Sequence, residues 1–89
     1  MKGVDTLIRL HKSELDERRR QVRALEAELD QLHQAVARLD QALADEQAVV
    51  AAGELLLHDR FLPFADDVAR RRADLEAAIA QQITRIEAA

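Results

Sequence analysis

The sequence predicts an all-α fold, an antiparallel two-helix coiled-coil hairpin with a long first helix. Two observations predict it. The 89-residue chain has two Phe, no Trp or Tyr, two Gly and one Pro, which is too little material for a globular core with shaped loops. Apolar residues also recur at every seventh position over most of the chain, which is the period of a left-handed coiled coil. We therefore expect a single coiled-coil domain over residues 1–89.

An unbroken apolar seam predicts the first helix. Every seventh residue from the start is apolar, and a second seam, three residues further along, is apolar in its middle and polar near its ends. The first seam consists of Met1, Ile8, Leu15, Val22, Leu29, Val36, Leu43 and Val50. The second consists of Val4, His11, Arg18, Leu25, Leu32, Leu39 and Glu46. We predict a helix over about residues 5–52, roughly 70 Å long at about 1.5 Å per residue.

A turn and a second helix follow. Gly53 suits the left-handed conformation that closes many helices, and the residues after it lose the seven-residue period, so the turn is predicted over about residues 53–60. Because proline is tolerated in the first turn of a helix, Pro63 predicts a second helix over about residues 61–88. Phe61 and Phe64 lie at this end of the hairpin. They either plug it against Val50 and residues 55–57 or form an exposed binding patch.

The predicted alignment of the two helices pairs Glu46 with Arg72. This choice sets the acidic seam residue of the first helix against the basic seam residue of the second, between apolar layers, and an ionic residue in a seam is a known way to fix alignment. It leaves the N-terminal part of the first helix unpaired. The unpaired seam residues are Ile8, Leu15, Val22 and Leu25.

Unpaired seam residues need a partner, because each is worth roughly 1.5–3 kcal/mol when it is buried. Three sources stay open. Chains associate as a homo-oligomer through the N-terminal half of the first helix, the second helix continues in a longer natural protein, or another protein covers the seam.

Composition disfavours several kinds of chemistry. The chain has no Cys, and its three His are far apart in sequence; Glu54 with His58 has helical spacing, but two ligands are too few for a zinc site. No phosphate-binding loop or nucleophile motif is present, so we expect no enzyme activity, no metal and no cofactor. The net charge of −4 disfavours nucleic acid as a partner. No stretch approaches the roughly 20 apolar residues of a membrane span, so we expect no membrane insertion.

Charge is unevenly distributed. Residues 2–23 hold seven basic and four acidic residues, whereas residues 24–52 hold one basic and six acidic. The first stretch includes Arg9 and an arginine cluster, Arg18, Arg19, Arg20 and Arg23. These arginines either form a solvated face paired with acidic neighbours at helical spacing or bind an acidic partner, since consecutive arginines point in several directions. With Phe61 and Phe64 they are the candidate partner-binding residues.

The segments DTLIRL at residues 5–10 and LDERRRQV at residues 15–22 resemble the start of the flagellar export protein FliJ family of α-proteobacteria. The Phe-containing turn and the ARRRADL segment at residues 69–75 are similar too. The chain is shorter than usual members, whose second helix runs back beside the whole of the first.

This resemblance implies a non-enzymatic stalk or adaptor of type III protein export, located in the bacterial cytoplasm and peripheral to the inner-membrane export apparatus. The implied partners are the hexameric export ATPase and the export gate protein, with export chaperones as a further candidate. Non-flagellar type III systems use a similar stalk, and the sequence does not separate the two. The alternative is a self-assembling coiled-coil scaffold of an unrelated bacterial complex.

Overall fold

Two antiparallel α-helices form the whole described fold. The structure, a computed structural model, describes the backbone of residues 2–53 and 55–89 and the side chains of residues 2–53 and 61–89. Helix α1 spans Lys2–Ala51 and helix α2 spans Leu55–Ala88. The molecule measures 80 × 18 × 11 Å with a radius of gyration of 22.4 Å, against about 12 Å for a compact protein of this length. The predicted fold class, a helical hairpin with a long first helix, is confirmed.

Gly53 closes α1 as predicted. Its φ angle is +93°, its N–H donates to the carbonyl oxygen of Val50 at 3.1 Å, and the N–H of Ala52 donates to that of Ala48 at 3.1 Å. A left-handed residue at this position lets the last turn of the helix satisfy its carbonyl groups while the chain reverses.

The connection between the helices is shorter than predicted. Helix α2 begins at Leu55 rather than at about residue 61, so Pro63 lies inside the helix and not in its first turn. Proline removes one backbone hydrogen bond and crowds the preceding turn, at a cost of about 3 kcal/mol. Pro63 is exposed, so its ring does not disturb the packing against α1, and a helix of 34 residues retains most of its hydrogen bonds.

The interior is a thin seam. Among the described side chains, Val68 and Gln82 are buried, each with 4 % of its surface exposed, and the other paired seam residues are half-buried. Two helices cover each other on one side only, which explains the shallow burial. The accessible surface is 7255 Å², roughly 2,000 Å² more than the surface of about 5,200 Å² expected of a compact 10.0 kDa protein.

The predicted pairing of Glu46 with Arg72 is wrong. The Arg72 guanidinium donates through Nη1 to the Asp40 carboxylate and through Nε to Glu76 Oε1 at 3.1 Å. Asp40 is six residues, or about 9 Å along the helix, closer to the N-terminus than Glu46. The hydrogen bond from Arg72 to Asp40, followed by that to Glu76, raises the pKa of the guanidinium.

Gln82 shows the same shift of alignment. Its Nε2 donates to the carbonyl oxygen of Leu25 and to Glu28 Oε2, both at 2.9 Å, so α2 lies about one heptad further towards the N-terminus of α1 than predicted. A heptad pattern permits alignments that differ by seven residues. The observed one adds overlap between the helices and half-buries Val22 and Leu25. Their assignment to an unpaired seam is therefore wrong, while Ile8 and Leu15 remain uncovered.

Candidate protein-binding surface

The first part of α1 projects beyond α2 as a single helix. All side chains of residues 2–21, which we call the overhang, are exposed, and Val22 is the first half-buried residue of α1. At about 1.5 Å per residue the overhang is roughly 30 Å long. It is the longest stretch of the described chain in which every side chain is exposed.

An apolar stripe runs along the overhang. Val4, Leu7, Ile8 and Leu15 are 49 %, 56 %, 53 % and 47 % exposed, and their spacing of three, four and seven residues puts them on one helical face. The stripe continues the seam that α2 covers further along. Single exposed apolar residues are ordinary, but an aligned set of this kind marks a contact surface.

His11 interrupts the stripe. It lies on the same face between Ile8 and Leu15, and its Nδ1 is 3.9 Å from Glu14 Oε2. Leu10 is as exposed as Ile8, at 53 %, but lies on the other side of the helix and outside the stripe. His11 limits how a partner helix aligns on the stripe, because fewer kinds of side chain pack well against a histidine than against a leucine.

The arginine cluster divides into two pairs. Arg20 binds Glu17 Oε2 through Nη2 at 2.7 Å and Nε at 3.2 Å, and Arg19 Nη1 lies 3.9 Å from Asp16 Oδ1. The hydrogen bonds from Arg20 lower the pKa of Glu17. The solvated-face interpretation thus describes Arg19 and Arg20, each of which pairs with an acidic residue three positions before it.

The other two arginines of the cluster, Arg18 and Arg23, form no ion pair with the described side chains. Within residues 2–53 and 61–89, neither Arg18 nor Arg23 forms an ion pair, and neither does Arg9. Arg18 and Arg23 flank a shallow groove with an apolar floor that includes Val22 and Ala89. Two guanidinium groups beside an apolar floor suit a partner segment that presents carboxylates next to aliphatic side chains.

The opposite end of the hairpin is an apolar tip. Phe61 and Phe64 are half-buried, so neither is the fully exposed patch considered from the sequence, while the residues 55–57 expected to pack on them lie outside the described side chains. Leu62 is 63 % exposed and Val49 37 % exposed. The sequence already places Leu62 among more apolar residues than a two-helix tip can cover, and the structure leaves it exposed.

The described residues contain neither a cluster of possible metal ligands nor a membrane-spanning segment. Across residues 2–53 and 61–89, no three His, Asp or Glu side chains converge on a possible metal position. The spacing of Glu54 with His58 lies outside the described side chains. Neither helix, as far as its residues are described, contains an apolar stretch long enough to cross a bilayer.

Two arrangements thus stand out as candidate sites. They are the overhang, with its apolar stripe and the adjoining arginine cluster, and the apolar tip, which lies about 55 Å along α1 from the middle of the overhang. Both are surfaces rather than cavities, and both suit recognition of other proteins. No protein-family model, curated protein or solved structure matches this chain.

Proposed function

We propose that the chain is a non-enzymatic coiled-coil stalk or adaptor of the bacterial flagellar type III protein export apparatus. The observation that supports this most is a basic single helix projecting from an acidic two-helix body. Residues 2–23 carry a net charge of +3, and residues 24–89 a net charge of −7. Such a rod presents chemically different ends to different partners, as a stalk between two components requires.

The two ends have separate roles in this proposal. The overhang end binds the export ATPase, with Arg18 and Arg23 contacting carboxylates and the groove around Val22 receiving an apolar side chain. Arg19 and Arg20 add positive charge there, although each already has an acidic neighbour. The protein acts in the cytoplasm, peripheral to the inner-membrane export apparatus.

The apolar tip is the second contact. Leu62 is largely exposed and lies beside the half-buried Phe61 and Phe64, which gives a small apolar surface at the end of a narrow rod. We assign this end to the export gate protein, with export chaperones as a further candidate. Leu62→Gln is the variant that tests it, since the side chain is exposed and its replacement leaves the pairing of α1 with α2 intact.

Binding of purified export ATPase tests the main assignment. The double variant Arg18→Glu with Arg23→Glu is expected to reduce affinity at least tenfold, because attraction to an acidic surface becomes repulsion. Arg70→Glu with Arg71→Glu changes the net charge by the same amount on α2 and is the matched control. Circular dichroism checks that both variants keep their helices.

The controls distinguish a specific contact at Arg18 and Arg23 from an effect of net charge alone. Equal losses in the two double variants would mean that net charge, and not the overhang, governs binding. Full binding by the variant at Arg18 and Arg23 would refute the proposed ATPase contact. The threefold reversal of Arg18, Arg19 and Arg20 extends the test to the whole cluster.

A second candidate function is a self-assembling scaffold of an unrelated bacterial complex. The apolar stripe favours it, since exposed seam residues drive coiled-coil association. A scaffold assembles openly, so its mass in sedimentation velocity is expected to rise continuously with concentration. A single stable species over a hundredfold range of concentration would contradict an open scaffold.

A further inference from the structure

The overhang is complementary to itself in an antiparallel arrangement. When Val4 of one copy is laid against Leu15 of a second copy, Ile8 of each copy falls against His11 of the other. Every central seam position of both overhangs is then filled, and each apolar residue gains a neighbour. The arrangement has two-fold symmetry, so the same surface serves both copies.

Charges beside the seam support the same alignment. Asp5 and Lys12 occupy the positions that flank an antiparallel seam, and in this alignment Asp5 of each copy lies next to Lys12 of the other. Opposite charges at flanking positions determine partner and orientation in coiled coils. Within the described side chains of one chain neither residue forms an ion pair, so both are available to a second copy.

Neighbouring alignments are worse. A shift of one heptad towards more overlap sets Val4 against Val22, which α2 already half-covers. A shift in the other direction pairs Val4 with Ile8 and leaves Leu15 unpaired. A parallel pairing in register sets His11 against His11 and Arg18 against Arg18, and the second pair brings two guanidinium cations together.

The overhang is long enough for such a pairing. It extends roughly 30 Å, and all of its described side chains are exposed. The four stripe residues are about half-exposed, so two copies bring eight such side chains to the interface.

We propose that the occupant of the overhang is a second copy of this chain, bound antiparallel in a closed dimer. This goes beyond the stalk function, because the dimer uses the apolar stripe and leaves Arg19, Arg20 and Arg23 facing outward, while Arg18 lies at the outer end of the paired seam, beyond Val4 of the other copy. It also differs from an open scaffold, since the apolar stripes of both copies are covered in the dimer and none is left to bind a third copy. The two arginine clusters are then separated by about 33 Å along the rod.

Sedimentation of the full chain is the first test. At about 100 μM the unaltered chain is expected at twice its 10.0 kDa mass, and the double variant Ile8→Gln with Leu15→Gln is expected at the single mass. Leu10→Gln is the matched control, since Leu10 and Ile8 are both 53 % exposed but Leu10 lies off the stripe; it is expected to remain dimeric.

Three outcomes would overturn the proposal in that experiment. They are a monomeric unaltered chain, an equal loss of dimer in the Leu10→Gln control, and a series of masses above the dimer. The assay contains no ATPase, so its failure is distinguishable from failure of the proposed function. All substituted side chains are exposed, so the hairpin is retained in each variant, which circular dichroism checks.

Cysteine cross-linking tests the direction. The chain has no cysteine, so Val4→Cys and Leu15→Cys introduce unique thiols, and one variant carries a tag that gives the mixed product its own mass. Mixing them under mild oxidation is expected to give the mixed disulfide, whereas Val4→Cys alone stays reduced, because its two thiols are about 16 Å apart in the dimer. Preferential cross-linking of Val4→Cys to itself would indicate a parallel pair and overturn the proposal.

Discussion

Replacing Gln82 by alanine removes the main polar link between the two helices. Its Nε2 donates to the backbone carbonyl of Leu25 and to the carboxylate of Glu28, and the residue is 4 % exposed. A hydrogen bond to a charged group contributes about 1.5–3 kcal/mol and one to a neutral group about 0.5–1.5 kcal/mol. Regained rotamer freedom offsets up to about 2 kcal/mol of this. We expect a net loss of about 2 kcal/mol.

Thermal unfolding followed by circular dichroism measures the loss. A change of this size lowers the midpoint by about 8–16 °C in a domain of this length. Gln81→Ala is the control, because Gln81 is the exposed neighbour of the same residue type and its replacement is expected to change stability by less than about 0.5 kcal/mol. Equal midpoints for the two variants would refute the assignment of Gln82 as a structural link.

Three further predictions concern the hairpin and the arginine cluster. Pro63→Ala restores a helical hydrogen bond and is expected to stabilise the hairpin by up to about 3 kcal/mol; a lower unfolding midpoint would contradict this. Arg72→Ala breaks exposed ion pairs, including that with Asp40, so it is expected to lower stability only slightly and to have the smallest effect at high salt, as urea titrations measure. Arg20→Gln is expected to raise the pKa of Glu17, because the hydrogen bond from Arg20 lowers it. The pairing stabilises the fold above the pKa that Glu17 has in the unfolded chain, and this stabilisation is lost as pH falls through the lower pKa of the folded state. An unchanged titration of the Glu17 carboxyl group by NMR would refute the pairing.

Helix formation and reversal of the chain followed from local chemistry. The seven-residue period required helices that pair, and Gly53 marked the end of the first one because a left-handed residue is needed there. The helix alignment did not follow, since a period of seven permits any shift by seven. An ion pair between Glu46 and Arg72 was an attractive criterion, but exposed ion pairs are weak. Overlap that half-buries Val22 and Leu25 is the stronger effect.

The candidate site was predictable in outline only. Composition located the basic region, and the heptad pattern located an apolar stripe without a partner. The division of the arginine cluster was not predictable, because Glu14 and Asp16 each have two arginine or histidine neighbours at helical spacing. Rotamers decide between them, and in the structure Asp16 lies near Arg19. The hydrogen bonds from Gln82 to the first helix were not predicted, because the predicted alignment of the two helices was shifted by about one heptad.

Uneven charge along an 80 Å rod also affects how the molecule meets a partner. The field of a net +3 at one end and −7 over the rest orients the rod as it diffuses towards an acidic surface, so the overhang arrives first. Screening limits this steering to about 8 Å at physiological ionic strength. Added salt therefore slows productive encounters more than it shortens the lifetime of a complex once formed.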